Sequence, residues 1–157
     1  TDTLTVNVGV NPVIDDSEIT LETGDSATGE VTEDVDTDAA TDGVQLEVTG
    51  SLTVADADGD GAFNTMPMFT NSTVDGGAQL GTLTIDAEGN WTYVLENDTV
   101  QGLNVGESIV ETYTVGTADG KDTQIIKITI DGANDVAKIT GDDSGIVKDV
   151  AGDNSAS

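Results

Sequence analysis

The sequence predicts an all-β chain, a seven-stranded antiparallel β-sandwich, and three observations predict it. Apolar and polar residues alternate along short runs such as Leu83-Thr84-Ile85, Trp91-Thr92-Tyr93-Val94-Leu95 and Ile126-Lys127-Ile128-Thr129-Ile130. That is the period of a half-buried strand. Turn signals such as Asp75-Gly76-Gly77, Glu88-Gly89-Asn90 and Asp119-Gly120 separate the runs. No segment carries a helical period, and seven such runs around a single Trp fit two packed sheets.

Taken in order, Leu4, Val6, Val8 and Val10 alternate ahead of Asn11-Pro12, which ends that strand. Val13-Ile14-Asp15-Asp16 reads as an acidic linker. Residues 17–28 are polar, with a weak apolar signal at Ile19 and Leu21, so the first strand of the sandwich is placed at residues 29–34. Residues 36–42 are loop. Val44, Leu46 and Val48, then Leu52 and Val54 past an irregularity at Gly50, form the second strand. Residues 62–70, with Phe63, Met66, Met68 and Phe69, form a less regular third. Residues 80–85 are the fourth, and a short hairpin loop at 86–90 joins it to the fifth at 91–95. A longer loop spans 97–107. On the sixth strand Ile109, Glu111, Tyr113 and Val115 face one way; on the seventh Ile126, Ile128 and Ile130 do. The expected inward set is Val44, Leu46, Val48, Leu52, Val54, Leu83, Ile85, Trp91, Tyr93, Leu95, Tyr113, Val115, Ile126, Ile128 and Ile130. The aromatic residues in it lie in phase with aliphatic neighbours, which makes them core rather than a ligand platform.

Charge restricts what such a sandwich can do. The 157 residues carry 31 acidic and 4 basic side chains, a formal charge of −27. Self-repulsion on that scale opposes compaction unless cations screen it or bind. It argues against nucleic acid or an anionic membrane as partner. There is no apolar run long enough to span a bilayer, and no Cys for a disulfide or thiolate site. With no His, Cys or Arg and no serine in a nucleophile elbow, an enzyme is not expected.

The chemistry concentrates in Ala55-Asp56-Ala57-Asp58-Gly59-Asp60-Gly61. Carboxylates at alternate positions, with glycines that let the backbone fold round them, suit a hard cation, Ca2+ above all. The segment matches the first half of an EF-hand loop, but its twelfth position is Pro67 rather than a bidentate Glu, and no helices flank it. It is therefore a loop between strands. Alternating strand direction then sorts the acidic residues. Strand 29–34 delivers Glu33, Asp34 and Asp36 to the end where the chain leaves, and the last strand delivers Asn134 and Asp135 there. Strand 44–54 delivers Asp56, Asp58 and Asp60 to the opposite end, beside Asp15 and Asp16 of the incoming linker. Like charges gathered so closely are costly unless a cation bridges them. Candidate metal ligands are thus Asp15, Asp16, Asp56, Asp58 and Asp60 at one pole, and Glu33, Asp34, Asn134 and Asp135 at the other.

The two ends of the chain also resemble each other. Leu4–Pro12 echoes Ile126–Asp135, and Gly29-Glu30-Val31-Thr32-Glu33 echoes Gly145-Ile146-Val147-Lys148-Asp149. The offsets are roughly 120 residues, about one sandwich domain. The expected organisation is the last strand of a preceding repeat in 1–11, a complete repeat in 12–136, and a linker with the first strand of a following repeat in 137–157.

Gly81-Thr82-Leu83-Thr84-Ile85-Asp86-Ala87-Glu88-Gly89-Asn90-Trp91-Thr92-Tyr93-Val94-Leu95 resembles the signature of VCBS repeats, the cadherin-like, immunoglobulin-like modules of giant bacterial surface adhesins. Thr49–Asp58 resembles the family's approach to its acidic loop, Leu103–Ser108 its approach to the sixth strand, and Gly132-Ala133-Asn134-Asp135-Val136 its inter-repeat linker. The resemblance covers roughly residues 24–136 and departs in the first linker, where Asn11-Pro12 stands in place of Asn-Asp. It implies tandem extracellular repeats in RTX-type proteins exported by type I secretion and anchored to the bacterial outer membrane, with a role in cell adhesion and biofilm. The expected function is a calcium-stiffened extender, monomeric, whose partners are calcium ions and neighbouring repeats of the same polypeptide, without membrane insertion. The alternative is a calcium-dependent sandwich that binds carbohydrate or peptide.

Overall fold

The structure is a computed structural model, and it describes residues 2, 9, 13–33 and 43–134. The strand pattern at 4–10, the repeat partner at 145–149 and the candidate ligands Asp34 and Asp135 lie outside the described residues. The rest forms nine strands: β1 (Glu18–Thr20), β2 (Thr28–Thr32), β3 (Gln45–Ser51), β4 (Thr53–Ala55), β5 (Met68–Ser72), β6 (Thr82–Ile85), β7 (Asn90–Glu96), β8 (Ser108–Gly116) and β9 (Thr123–Asp131). One 3₁₀ turn follows β7 at Asn97–Thr99.

The all-β sandwich holds. One sheet runs β2-β9-β8-β5, the other β3-β7-β6, and β1 pairs with β4 in a short two-stranded ribbon at the side. All pairings are antiparallel except β2 with β9, which run parallel in register from Thr28↔Lys127 to Thr32↔Asp131. The two larger sheets face each other through Trp91, Tyr93 and Leu95 of β7 and Tyr113, Val115, Ile126, Ile128 and Ile130 of β8 and β9, all buried. Tyr93 and Tyr113 meet edge-on across the gap, ring centroids 6.0 Å apart.

Glycines seat the central tryptophan. A Cβ on Gly50 would overlap the Trp91 ring, and one on Gly29 would lie 3.0 Å from Trp91, Val48 and Ile128 at once. The indole N–H, which needs a partner when buried, donates to the Ser26 carbonyl at 2.9 Å.

Four details differ from the sequence reading. The polar stretch 17–28 contains a strand, β1. The strand read as 44–54 breaks at Leu52, whose N–H turns aside to Gly89 O at 3.0 Å, so β3 joins one sheet and β4 pairs with β1. The third strand begins at Met68, not at 62; Phe63 contributes only an isolated bridge to Thr117 and a buried ring. Val44 precedes β3 and is exposed rather than core, while Val31, Phe63 and Val100 join the buried set. Leu46, Val48 and Val54 pack against that core only partly buried.

Candidate metal centre

Strand direction places the two poles. β2 and β9 run the same way, toward the pole where the chain goes out; β9 begins at the opposite pole and β2 joins it halfway along, at Lys127. The nine residues of β9 make eight steps of about 3.3 Å, so the strand spans roughly 26 Å from pole to pole.

At the incoming pole the Asp56 loop folds as an Asx turn. Asp56 Oδ1 accepts the N–H groups of Asp58 at 2.9 Å and Gly59 at 3.1 Å, and Gly59 takes φ +79°, which glycine adopts without strain. Gly61 lets the loop close over itself, since a Cβ there would lie 2.8 Å from that of Asp56. Asp56 Oδ2 accepts the Ser17 hydroxyl at 2.9 Å. That bond, with the two backbone donors, holds the Asp56 carboxyl below the usual range. Asp58 Oδ2 accepts the Asp15 N–H at 3.2 Å. The loop and the incoming linker therefore meet, as strand direction predicts. Asp16 turns away from the loop and pairs with Lys121 at 2.8 Å; both side chains are more than half exposed, so the pair adds little stability.

Two acidic residues that sequence reading treated only as turn material join this pole. Asp119 Oδ2 accepts the Ser17 N–H at 2.9 Å, and Asp122 Oδ2 accepts the Ile19 N–H at 2.8 Å. The Thr117 hydroxyl, followed by the Ser17 N–H, pulls the Asp119 carboxyl down to about 2. Strand direction puts the turn between the last two strands at the incoming pole, but does not distinguish its carboxylates from ordinary turn residues.

At the outgoing pole Glu33 is 3% exposed. Its Oε1 accepts the Ala133 N–H at 2.8 Å, and its own N–H donates to Asp131 O at 3.0 Å. Asn134 follows, exposed. Glu107, also unforeseen, joins them: Gly132 N donates to Glu107 O at 3.0 Å. The Glu107 carboxylate accepts Asn104 N and Nδ2, each at 2.9 Å, and these donors lower its pKa, the backbone one most.

The donors at both poles are carboxylate and amide oxygens, and this chemistry fits calcium. An ionised carboxylate has about four lone-pair sites, so an Asx turn and a cation can share one side chain. Among the described residues, however, no group of three or more Asp or Glu side chains converges to hold an ion. Glu33 lies at one pole and Asp56 and Asp58 at the other, two or fewer of the candidate carboxylates meeting at either place.

A further carboxylate lies between the sheets. Glu111 is fully buried and accepts Leu80 N at 2.6 Å, Gly81 N at 3.2 Å and the Tyr93 hydroxyl at 2.9 Å, with the Tyr113 hydroxyl 3.0 Å away. Burial first, then the Glu111 charge, pushes both tyrosine hydroxyls above their ordinary range. This cluster pins the chain ahead of β6 to the core and is shut off from solvent.

A scan against protein-family models and a search of curated proteins each return no match to this chain.

Proposed function

We propose that this chain is a calcium-stiffened extender module, a VCBS-like repeat of a bacterial surface adhesin that holds a distal binding domain away from the cell. One observation carries the reading: the described chain comes in and goes out at opposite poles of the sandwich, and acidic groups gather at both. Stacked end to end, such modules bring Glu33 and Asn134 of one, with Asp135, against Asp56, Asp58 and Asp60 of the next. Partial shells then complete each other, and calcium, when bound, neutralises charge that otherwise drives the modules apart. The extracellular setting follows from the resemblance at residues 81–95. A carbohydrate-binding role would want aromatic rings at the surface; here Phe63, Trp91, Tyr93 and Tyr113 are buried and Phe69 is packed against the core.

The test is small-angle scattering on a tandem of two copies. Calcium should give a longer, narrower particle than EGTA, because it fixes the angle at a Gly-containing linker that otherwise flexes. Glu33→Ala with Asp135→Ala should abolish the change while both sandwiches stay folded. Identical curves in the two buffers, or a double variant that still stiffens, would reject the role.

A further inference from the structure

From the way the chain is tied at the incoming pole we infer that residues 13–24 form a load-releasing strap, which yields under tension before a shear clamp made by β2 and β9. The inference rests on the proposed mechanical role for its biological meaning, but its geometry does not depend on calcium.

Tension between residues 13 and 134 pulls the start of β2 one way and the end of β9 the other. The two strands are parallel and paired over five residues, and the ladder is prolonged by Lys127 N to Ala27 O at 2.9 Å and Glu33 N to Asp131 O at 3.0 Å. Their hydrogen bonds lie across the load, so they share it and must fail together. The clamp is also rooted in the core. Val31 is buried, Gly29 lies beneath Trp91, and Ile128 and Ile130 are fully buried.

The strap meets the load first and is held differently. Its ties are Asp15 N to Asp58, Ser17 N to Asp119, the Ser17 hydroxyl to Asp56, Ile19 N to Asp122, the Asp16–Lys121 pair and three residue pairs between β1 and β4. Its apolar side chains are mostly in solvent: Val13, Ile14 and Leu21 are exposed, and Ile19 alone packs partly against the core. A segment with few buried apolar contacts opens at low cost, whereas core strands open only with the whole domain. The strap stops at Ser26, where Ser26 N bonds Ser51 O and Ser26 O receives the Trp91 indole. Releasing residues 13–24 adds about 40 Å of chain at ~3.5 Å per residue, with the sandwich intact behind it.

Single-molecule force measurements on the full chain in EGTA test this, because forced unfolding reads the rate at which such barriers fail. The chain has no Cys, so introduced cysteines give unique handles. Pulled by its two ends, the chain should lengthen in a small low-force step and then in a large high-force one. Pulled from Thr23→Cys and the C-terminal end, it should lose the small step and keep the large force. Pulled from Thr23→Cys and Thr123→Cys, both ahead of the ladder that begins at Thr28 and Lys127, β2 should peel from β9 one bond at a time, and the large force should fall several-fold. A single step from the ends, a small step that survives the Thr23 handle, or an undiminished force in the peeling geometry would overturn the inference. Repeating the end-to-end pull in calcium on a tandem of two copies, which contains a junction, separates the two readings. Traces that keep both steps but ignore calcium count against the calcium-stiffened extender and leave the strap and clamp standing.

Discussion

Glu111 shows how single residues set this structure. A carboxylate sealed between two sheets is tolerable only when donors answer it, and here two backbone N–H groups and two tyrosine hydroxyls surround it. Glu111→Leu leaves the Leu80 and Gly81 N–H groups and the Tyr93 hydroxyl facing hydrocarbon, while the Tyr113 hydroxyl keeps the Gly81 carbonyl at 2.9 Å. Each buried donor left unsatisfied costs about 1–3 kcal/mol, so urea denaturation should show a loss of at least ~3 kcal/mol, with fluorescence of Trp91 reporting the transition. A loss near zero would mean that the donors find other partners. Asp119 makes the complementary case at the surface. Its folded pKa is depressed to about 2 against an ordinary value of about 3.9. A depressed carboxylate contributes stability that is complete above its unfolded pKa and is lost as pH falls through its folded one. The contribution of Asp119 should therefore disappear between about pH 4 and pH 2. Asp56, Asp86 and Glu107 are shifted in the same direction, the first held by the Ser17 hydroxyl and the second by the Asn90 side chain. In thermal melts across that window Asp119→Asn should lose less stability than the wild-type chain; parallel pH profiles would contradict the assignment.

At the scale of elements, β1 depends on side chains rather than on its own sequence. Ser17 N and Ile19 N bond to carboxylates about a hundred residues further along the chain. Asp122→Ala should speed amide exchange at Ile19 strongly while the global unfolding midpoint moves little, since the core strands do not use that contact. Equal exchange in variant and wild type would show that β4 alone secures the strand. The same dependence explains what the sequence could and could not disclose. Alternation at 83–85, 91–95 and 126–130 locates β6, β7 and β9 because each strand turns one face to a single core. β1 carries one inward apolar residue and borrows its remaining partners from a distant hairpin, so no local period marks it. β5 is short, starting at Met68, and its register slips between Phe69 and Asn71, which breaks the alternation a strand is read by. Glu111 is in phase with Tyr113 and Val115, yet a carboxylate at a core position becomes legible only once its donors are known. The poles were legible from strand direction alone. Asp119, Asp122 and Glu107 were not, because a turn signal and a potential ligand are written with the same residues.

The whole molecule carries −27 over 157 residues, and acidic groups stand at both poles of the described sandwich. Repulsion of that size is relieved by anything that binds cations to the folded form. Sodium chloride screens it without regard to geometry, and magnesium gives up its water shell reluctantly, whereas several flexible carboxylates suit the larger calcium shell. The central claim is therefore best tested by thermal melting of a tandem of two copies, which contains one complete junction, at matched ionic strength in EGTA, in millimolar magnesium and in millimolar calcium. The account predicts a midpoint that climbs with calcium concentration, as mass action requires, and moves much less with magnesium. A midpoint that is the same in EGTA and in calcium would contradict it.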